Sequence, residues 1–121
     1  MARVFITGAS SDIGMAVCHL YLSRGYTVVG HYHRGHGAFF DLVEKTDKMT
    51  ALQIDLSESS NLERALTDQP AMFAATDVLI NGAAVLDPAP FAGISAERVL
   101  RAMTVNVVPA LVLMQTIAPA M

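Results

Sequence analysis

A β-branched apolar run, Val4-Phe5-Ile6-Thr7, ends in Gly8-Ala9-Ser10-Ser11-Asp12-Ile13-Gly14. An amphipathic stretch, Met15 to Arg24, follows at once. A strand that feeds a helix through a Gly-rich turn narrows the choice of folds sharply. The helix must fold back onto a sheet, and its N-terminus then forms an anion site suited to a pyrophosphate. Gly8 can take the tight turn without a Cβ penalty. The first N–H groups of the helix have no intrahelical partner, so Ser10, Ser11, Asp12 and Ile13 can turn donors toward phosphate oxygens. Gly14 lets the helix pack closely on the strand. A Gly-rich turn alone is a weak signal, since many such turns carry glycine for geometry only.

The rest of the chain alternates. Strands are expected over Ala2–Thr7, Tyr26–His31, Met49–Asp55 and Asp77–Asn81. A helix is expected over Ile13–Arg24, with Ile13, Val17, Leu20 and Tyr21 on one face and Gly25 as its stop. A short helix covers Gly37–Thr46. Another, capped by Ser57 or Ser59, runs to about Asp68. Pro88 and Pro90 break the segment Leu86–Gly93 into a loop. Ser95 opens a long apolar helix that Pro109 kinks or divides. Such alternation implies a parallel sheet with right-handed crossovers. We expect an α/β, Rossmann-like, three-layer αβα domain over residues 1–121, with strand order 3-2-1-4. That order leaves strand four on an open edge. The segment Val105–Ile117 is apolar almost all round, which demands cover from more chain or from another subunit.

Composition supports a buried sheet and excludes several classes. The chain has 121 residues, 53% of them hydrophobic and 16% charged. The net charge is −3 with no basic patch, so nucleic acid is not an expected partner. No uninterrupted apolar stretch reaches the roughly 18–20 residues of a membrane span. The N-terminal residues lack the basic and apolar regions of a signal peptide. The single Cys18 cannot form an internal disulfide, which fits a reducing cytoplasm.

The end of the second strand reads Gly30-His31-Tyr32-His33-Arg34-Gly35. In dinucleotide-binding folds this point lies beside the adenosine ribose, where an acidic residue suits NAD and an arginine suits the 2′-phosphate of NADP. Arg34 lies 20 residues after Gly14, with no Asp or Glu between Gly14 and Phe40. A guanidinium matches phosphate geometry. NADP(H) is therefore favoured, with His33 and Arg34 as contacts; NAD(H) is the other option, and a solvated loop arginine the plainest one. His31, His33 and His36 invite a zinc reading. With no cysteine nearby and no carboxylate between Gly14 and Phe40, no metal site is expected. His19 is read as structural.

Four motifs now fall in order. Thr7-Gly8-x-x-x-Asp12-x-Gly14 resembles the Thr-Gly-x-x-x-Gly-x-Gly turn of the short-chain dehydrogenase/reductase family, with Asp12 where that family usually has glycine. Asp55-Leu56 resembles the family's aspartate that contacts the adenine ring. Asn81-Gly82-Ala83-Ala84 resembles its Asn-Asn-Ala-Gly segment, which shapes the ribose side of the cofactor pocket; Gly82 and Ala84 depart from it. Asn106, in Thr104-Val105-Asn106-Val107, resembles the family's helix asparagine, which holds a water on the proton-relay path. A plainer reading is an asparagine that bonds back to its own helix near the kink. Asp12 is expected to point outward or to cap the helix.

The resemblance implies an NADP(H)-dependent oxidoreductase acting on a small carbonyl or alcohol, of which this chain is the cofactor-binding half. Family catalysis uses a serine and then Tyr-x-x-x-Lys, where the lysine lowers the tyrosine pKa. Here Asp41 precedes Lys45 by four residues, Glu44 precedes Lys48, and Tyr21, Tyr26 and Tyr32 all lie in the cofactor-side half. The chain is therefore expected to be truncated, inactive alone and oligomeric. The alternative is a non-catalytic nucleotide-binding module or assembly partner.

Overall fold

The computed structural model describes every residue from Met1 to Met121. Four parallel strands form one sheet in the order β3-β2-β1-β4: β1 Arg3–Thr7, β2 Thr27–Tyr32, β3 Met49–Gln53 and β4 Val78–Asn81. The order is the expected one. Phe5 sits opposite Val29 on one side and Leu79 on the other. β4 pairs only with β1, so its outer edge is open.

Strand alternation divides the core in two. Val4, Ile6 and Val28 face a cluster with Ala9, Cys18, Phe39, Leu42 and Met49, covered by α1 (Asp12–Ser23) and α2 (Gly37–Lys45). Phe5, Val29 and Leu52 face the other layer: α3 (Ser59–Asp68), α4 (Ala96–Asn106) and α5 (Val108–Ile117). Phe5 stacks on Phe73 with ring centroids 5.1 Å apart. Cys18 lies in the first cluster, and burial pushes its thiol up to about 11.

Three local expectations are resolved by the structure, two of them by correction. The buried stripe of α1 runs through Gly14 and Cys18, with Tyr21 and Leu22 packed beside it. Ile13 is 80% exposed and Leu20 also faces out. The glycine sets that stripe, because only a residue without Cβ lets the helix approach the turn. Second, of the two places expected for Asp12 the outward one holds: it is the first helical residue and is exposed, while Ser11 caps α1, its Oγ accepting from Gly14 N–H. Third, neither Ser57 nor Ser59 caps α3. The cap position is Glu58, which makes no side-chain capping bond, while Asp55 Oδ1 accepts from Ser57 N–H. Ser95 does cap α4, accepting from Arg98 N–H.

The long apolar helix is divided. Val107 separates α4 from α5, and Pro109 sits in the first turn of α5. Taken as one run, Ala96–Ala120 is long and apolar enough to cross a membrane by length and composition, although Glu97, Arg98 and Arg101 interrupt it. Its inner face belongs to the core, where Val105, Leu113 and Ile117 are buried. Its outer face exposes Val99, Leu100, Met103, Val107, Leu111 and Met114. The all-round apolar segment is thus covered on one side only.

Candidate functional site

The carboxyl ends of the four strands open onto a cleft of about 720 Å³. Gly8, Ser10 and Ser11 form one wall, and Asp55, Leu56 and Ser57 another. His33, Arg34 and Gly35 close one end; Gly82, Ala83, Ala84 and Val85 close the other, with Val105 behind them. This is the crevice outside the strand ends where open α/β sheets bind ligands.

The glycine turn is built for close approach. Gly8 has φ +68°, and a Cβ there would lie 2.8 Å from Gly82 O and 2.9 Å from Ala83 N. A Cβ on Gly14 would lie 2.1 Å from Gly8 O. Ser11 closes the turn, its Oγ–H donating to Gly8 O and its N–H to the same oxygen. The N–H groups of Ser10, Asp12 and Ile13 donate no hydrogen bond within the chain. Three free donors at a helix N-terminus form an anion cradle. The Asp12 side chain, exposed in the first turn, does not line the cleft.

Thr7, at the end of β1, is buried. Its Oγ1 accepts from both Gly82 N–H and Ala83 N–H at 3.0 Å. One hydroxyl therefore fixes the turn after β4 against the turn after β1. Asn81 stands beside Thr7 in the register but is exposed and outside the cleft lining. Asn106 also lies outside it. Its Oδ1 accepts from Val85 N–H at 2.7 Å and its Nδ2–H donates to Val85 O at 3.0 Å. The amide is thus committed to the loop after β4 rather than to its own helix. That loop is further pinned by a forked Arg98–Asp87 ion pair.

At the other end Arg34 makes no ion pair or hydrogen bond within the chain. His33 Nε2 lies 3.6 Å from Asp55 Oδ2, both side chains being partly exposed. Hydrogen bonds from Ser57 hold the Asp55 carboxyl below the usual carboxylate range, with His33 and Arg34 adding to the effect. His36 Nε2–H donates to Ser10 O at 2.7 Å, closing the Arg34 loop onto the glycine turn.

Sequence reasoning missed His31. It is buried at the end of β2, beneath the cleft. Its Nδ1 accepts from Gly8 N–H at 3.1 Å, and its Nε2–H donates to Ile54 O at 2.8 Å. Both ring nitrogens are therefore engaged, so a zinc cluster with His33 would have to dismantle the turn. The usable signal was position: a histidine at a strand's carboxyl end, beside the strand that carries the glycine turn.

The short chain dehydrogenase family model matches residues 2–121. The chain belongs to this family. Among curated relatives, a sorbitol dehydrogenase from Cereibacter sphaeroides is 28% identical over 116 residues, which is 96% of this chain and 45% of the relative. A galactitol 2-dehydrogenase from Agrobacterium fabrum is 24% identical over 123 residues, again 96% of this chain and 45% of the relative. Among solved structures, a 4-hydroxyisoleucine dehydrogenase complexed with NADH superposes with TM-score 0.86 at 27% identity, covering 98% of this chain and 49% of that one. An NADPH-bound carbonyl reductase from chicken fatty liver gives TM-score 0.81 at 19% identity, covering 99% and 48%; it shares the fold. This short-chain dehydrogenase chain spans about half the length of the curated relatives it matches.

Proposed function

We propose that residues 1–121 are the cofactor-binding portion of an NADP(H)-dependent oxidoreductase that interconverts a small carbonyl compound and its alcohol. The observation that carries this reading is the cleft itself, with the free Ser10 N–H on one wall, those of Asp12 and Ile13 next to it in the chain, and an unpaired guanidinium at its end. The residues fit a dinucleotide. The free backbone N–H groups of Ser10, Asp12 and Ile13 hold the pyrophosphate, on the turn that Ser11 closes and that Gly8 and Gly14 allow to pack tightly. His33 and Arg34 take the 2′-phosphate. Asp55, kept ionised by Ser57, accepts a hydrogen bond from the adenine edge, and Leu56 packs beside it. Gly82 and Ala83, which Thr7 fixes in place, form the wall on the ribose side, and Asn81 stands at its edge. Asn106 has a supporting role, holding Val85 where the loop enters the cleft. When bound, the cofactor supplies or takes up hydride. The exposed strip on α4 and α5 suits an oligomer, and a cytoplasmic location accords with the single buried thiol.

Calorimetry with NADPH and NADH tests the binding half of this reading. Saturable binding with NADPH preferred is expected; no binding by the folded chain would overturn it. Turnover is a separate matter, because no tyrosine stands four residues before a lysine. The 121-residue chain is expected not to oxidise NADPH above background with a panel of aldehydes and ketones. Turnover by the pure chain would refute that expectation.

A further inference from the structure

We propose that neutral His31 is the positioning residue of the glycine turn, so that a dinucleotide binds tightly only while this imidazole is uncharged. The inference rests on the dinucleotide reading above and deepens it.

The hydrogen bonds fix the tautomer. Ile54 O can only accept, so Nε2 carries the hydrogen and Nδ1 is left as the acceptor for Gly8 N–H. The same residue's carbonyl accepts from Ala9 N–H at 2.8 Å. Residue 31 thus occupies the first two amides of the turn, and Ser10 N–H is the first one left free. His31 decides where the anion cradle begins. Through Ile54 the ring also ties the glycine turn to the end of β3, just before Asp55 and Leu56. Both walls of the cleft are therefore set by one imidazole.

Protonation would place an N–H on Nδ1, facing Gly8 N–H across 3.1 Å in a buried position. Two donors cannot share that space. The turn cannot yield easily, because Gly8 is wedged against the backbone of Gly82 and Ala83. Burial holds the His31 pKa below the ordinary histidine value; the Ile54 bond opposes this, and the charge of His33 adds to it. The other charged groups on the packed elements do not act on the ring in this way. Asp55 after β3 is paired with His33, Arg34 is free at the end of the cleft, and Asp12 is exposed on α1. Affinity should be full above the ordinary histidine pKa of about 6.5 and be lost as pH falls through the lower folded value.

NAD⁺ is the probe, because its phosphates are diesters and do not titrate in this range. Its affinity is measured from about pH 8 to about pH 5, with circular dichroism confirming the fold at each pH. The wild type is expected to weaken in acid, approaching about ten-fold per pH unit, while the Gly8 amide resonance shifts with the same midpoint. In His31→Asn the side-chain oxygen replaces Nδ1 as a non-titrating acceptor while the Ile54 bond is lost, so binding at pH 8 is weakened by less than in the leucine variant and the acid loss disappears. His31→Leu removes the acceptor and is expected to bind about ten-fold more weakly at pH 8; if it does not fold, the asparagine variant decides. A wild-type pH profile in His31→Asn, or affinity that stays flat while the Gly8 resonance titrates, would overturn the proposal. Failure of both NAD⁺ and NADP⁺ to bind at pH 8 would instead remove the dinucleotide reading, and this inference with it.

Discussion

Gly14→Ala is expected to destabilise the chain by about 3 kcal/mol and to lower its unfolding midpoint by roughly 10 °C. The added Cβ would lie 2.1 Å from Gly8 O and 2.8 Å from Ala9 Cα. Both are backbone atoms, so no side chain can swing away to make room. Either α1 lifts off the turn, exposing Cys18 and the stripe beside it, or the turn itself opens. Opening the turn breaks the Ser11 bonds to Gly8 O and the Gly14 N–H cap on Ser11. It also pulls Gly8 from His31 and from the Gly82 turn. Gly37→Ala is the control, since nothing lies within 4 Å of its added Cβ at the start of α2; there alanine should be neutral or stabilising by up to about 1 kcal/mol. Thermal unfolding of the two variants side by side checks the contrast. A Gly14→Ala protein that melts with the wild type would mean that α1 does not sit this close to the turn.

The strands and their order were legible because buried parallel strands read as continuous apolar runs, and glycine and proline mark where they end. Val4-Phe5-Ile6 is such a run, and each of its residues belongs in the core whichever face it meets. The face of α1 was harder to read. Ile13 and Leu20 have the size of core residues, yet the close contact is made by Gly14, which carries no hydrophobic signal. The cap of α3 was misread because Asp55, three residues upstream of the cap position, draws the Ser57 N–H. His31 and Asn106 share a different reason. Each works through a partner more than 20 residues away, Gly8 and Ile54 for one and Val85 for the other. Sequence spacing can bring residues onto one helix face; it cannot show which backbone amide a polar side chain will meet across a sheet.

Arg34→Asp is expected to weaken NADPH binding by about 2–3 kcal/mol, roughly 30- to 150-fold, while leaving NADH affinity unchanged or higher. The guanidinium is unpaired within the chain, so its removal breaks no internal contact, and the fold should be unaffected. Charge-assisted bonds to a phosphate monoester are the strong kind, but Arg34 is exposed, and solvent and salt screen part of their worth. An aspartate at this position repels the 2′-phosphate and can accept from a free ribose 2′-hydroxyl, as acidic residues there do in NAD-binding folds. It would also stand near Asp55, so His33 would be drawn between two carboxylates and less available to a phosphate. The same competition predicts that added salt narrows the wild-type preference for NADPH while changing NADH binding little, since only the 2′-phosphate depends on these exposed cations. The ratio of the two dissociation constants is the decisive measurement. A ratio unchanged by the substitution would remove Arg34 from the phosphate site and leave Arg64, which borders the adjoining groove beside Asp55, as the cation able to serve it.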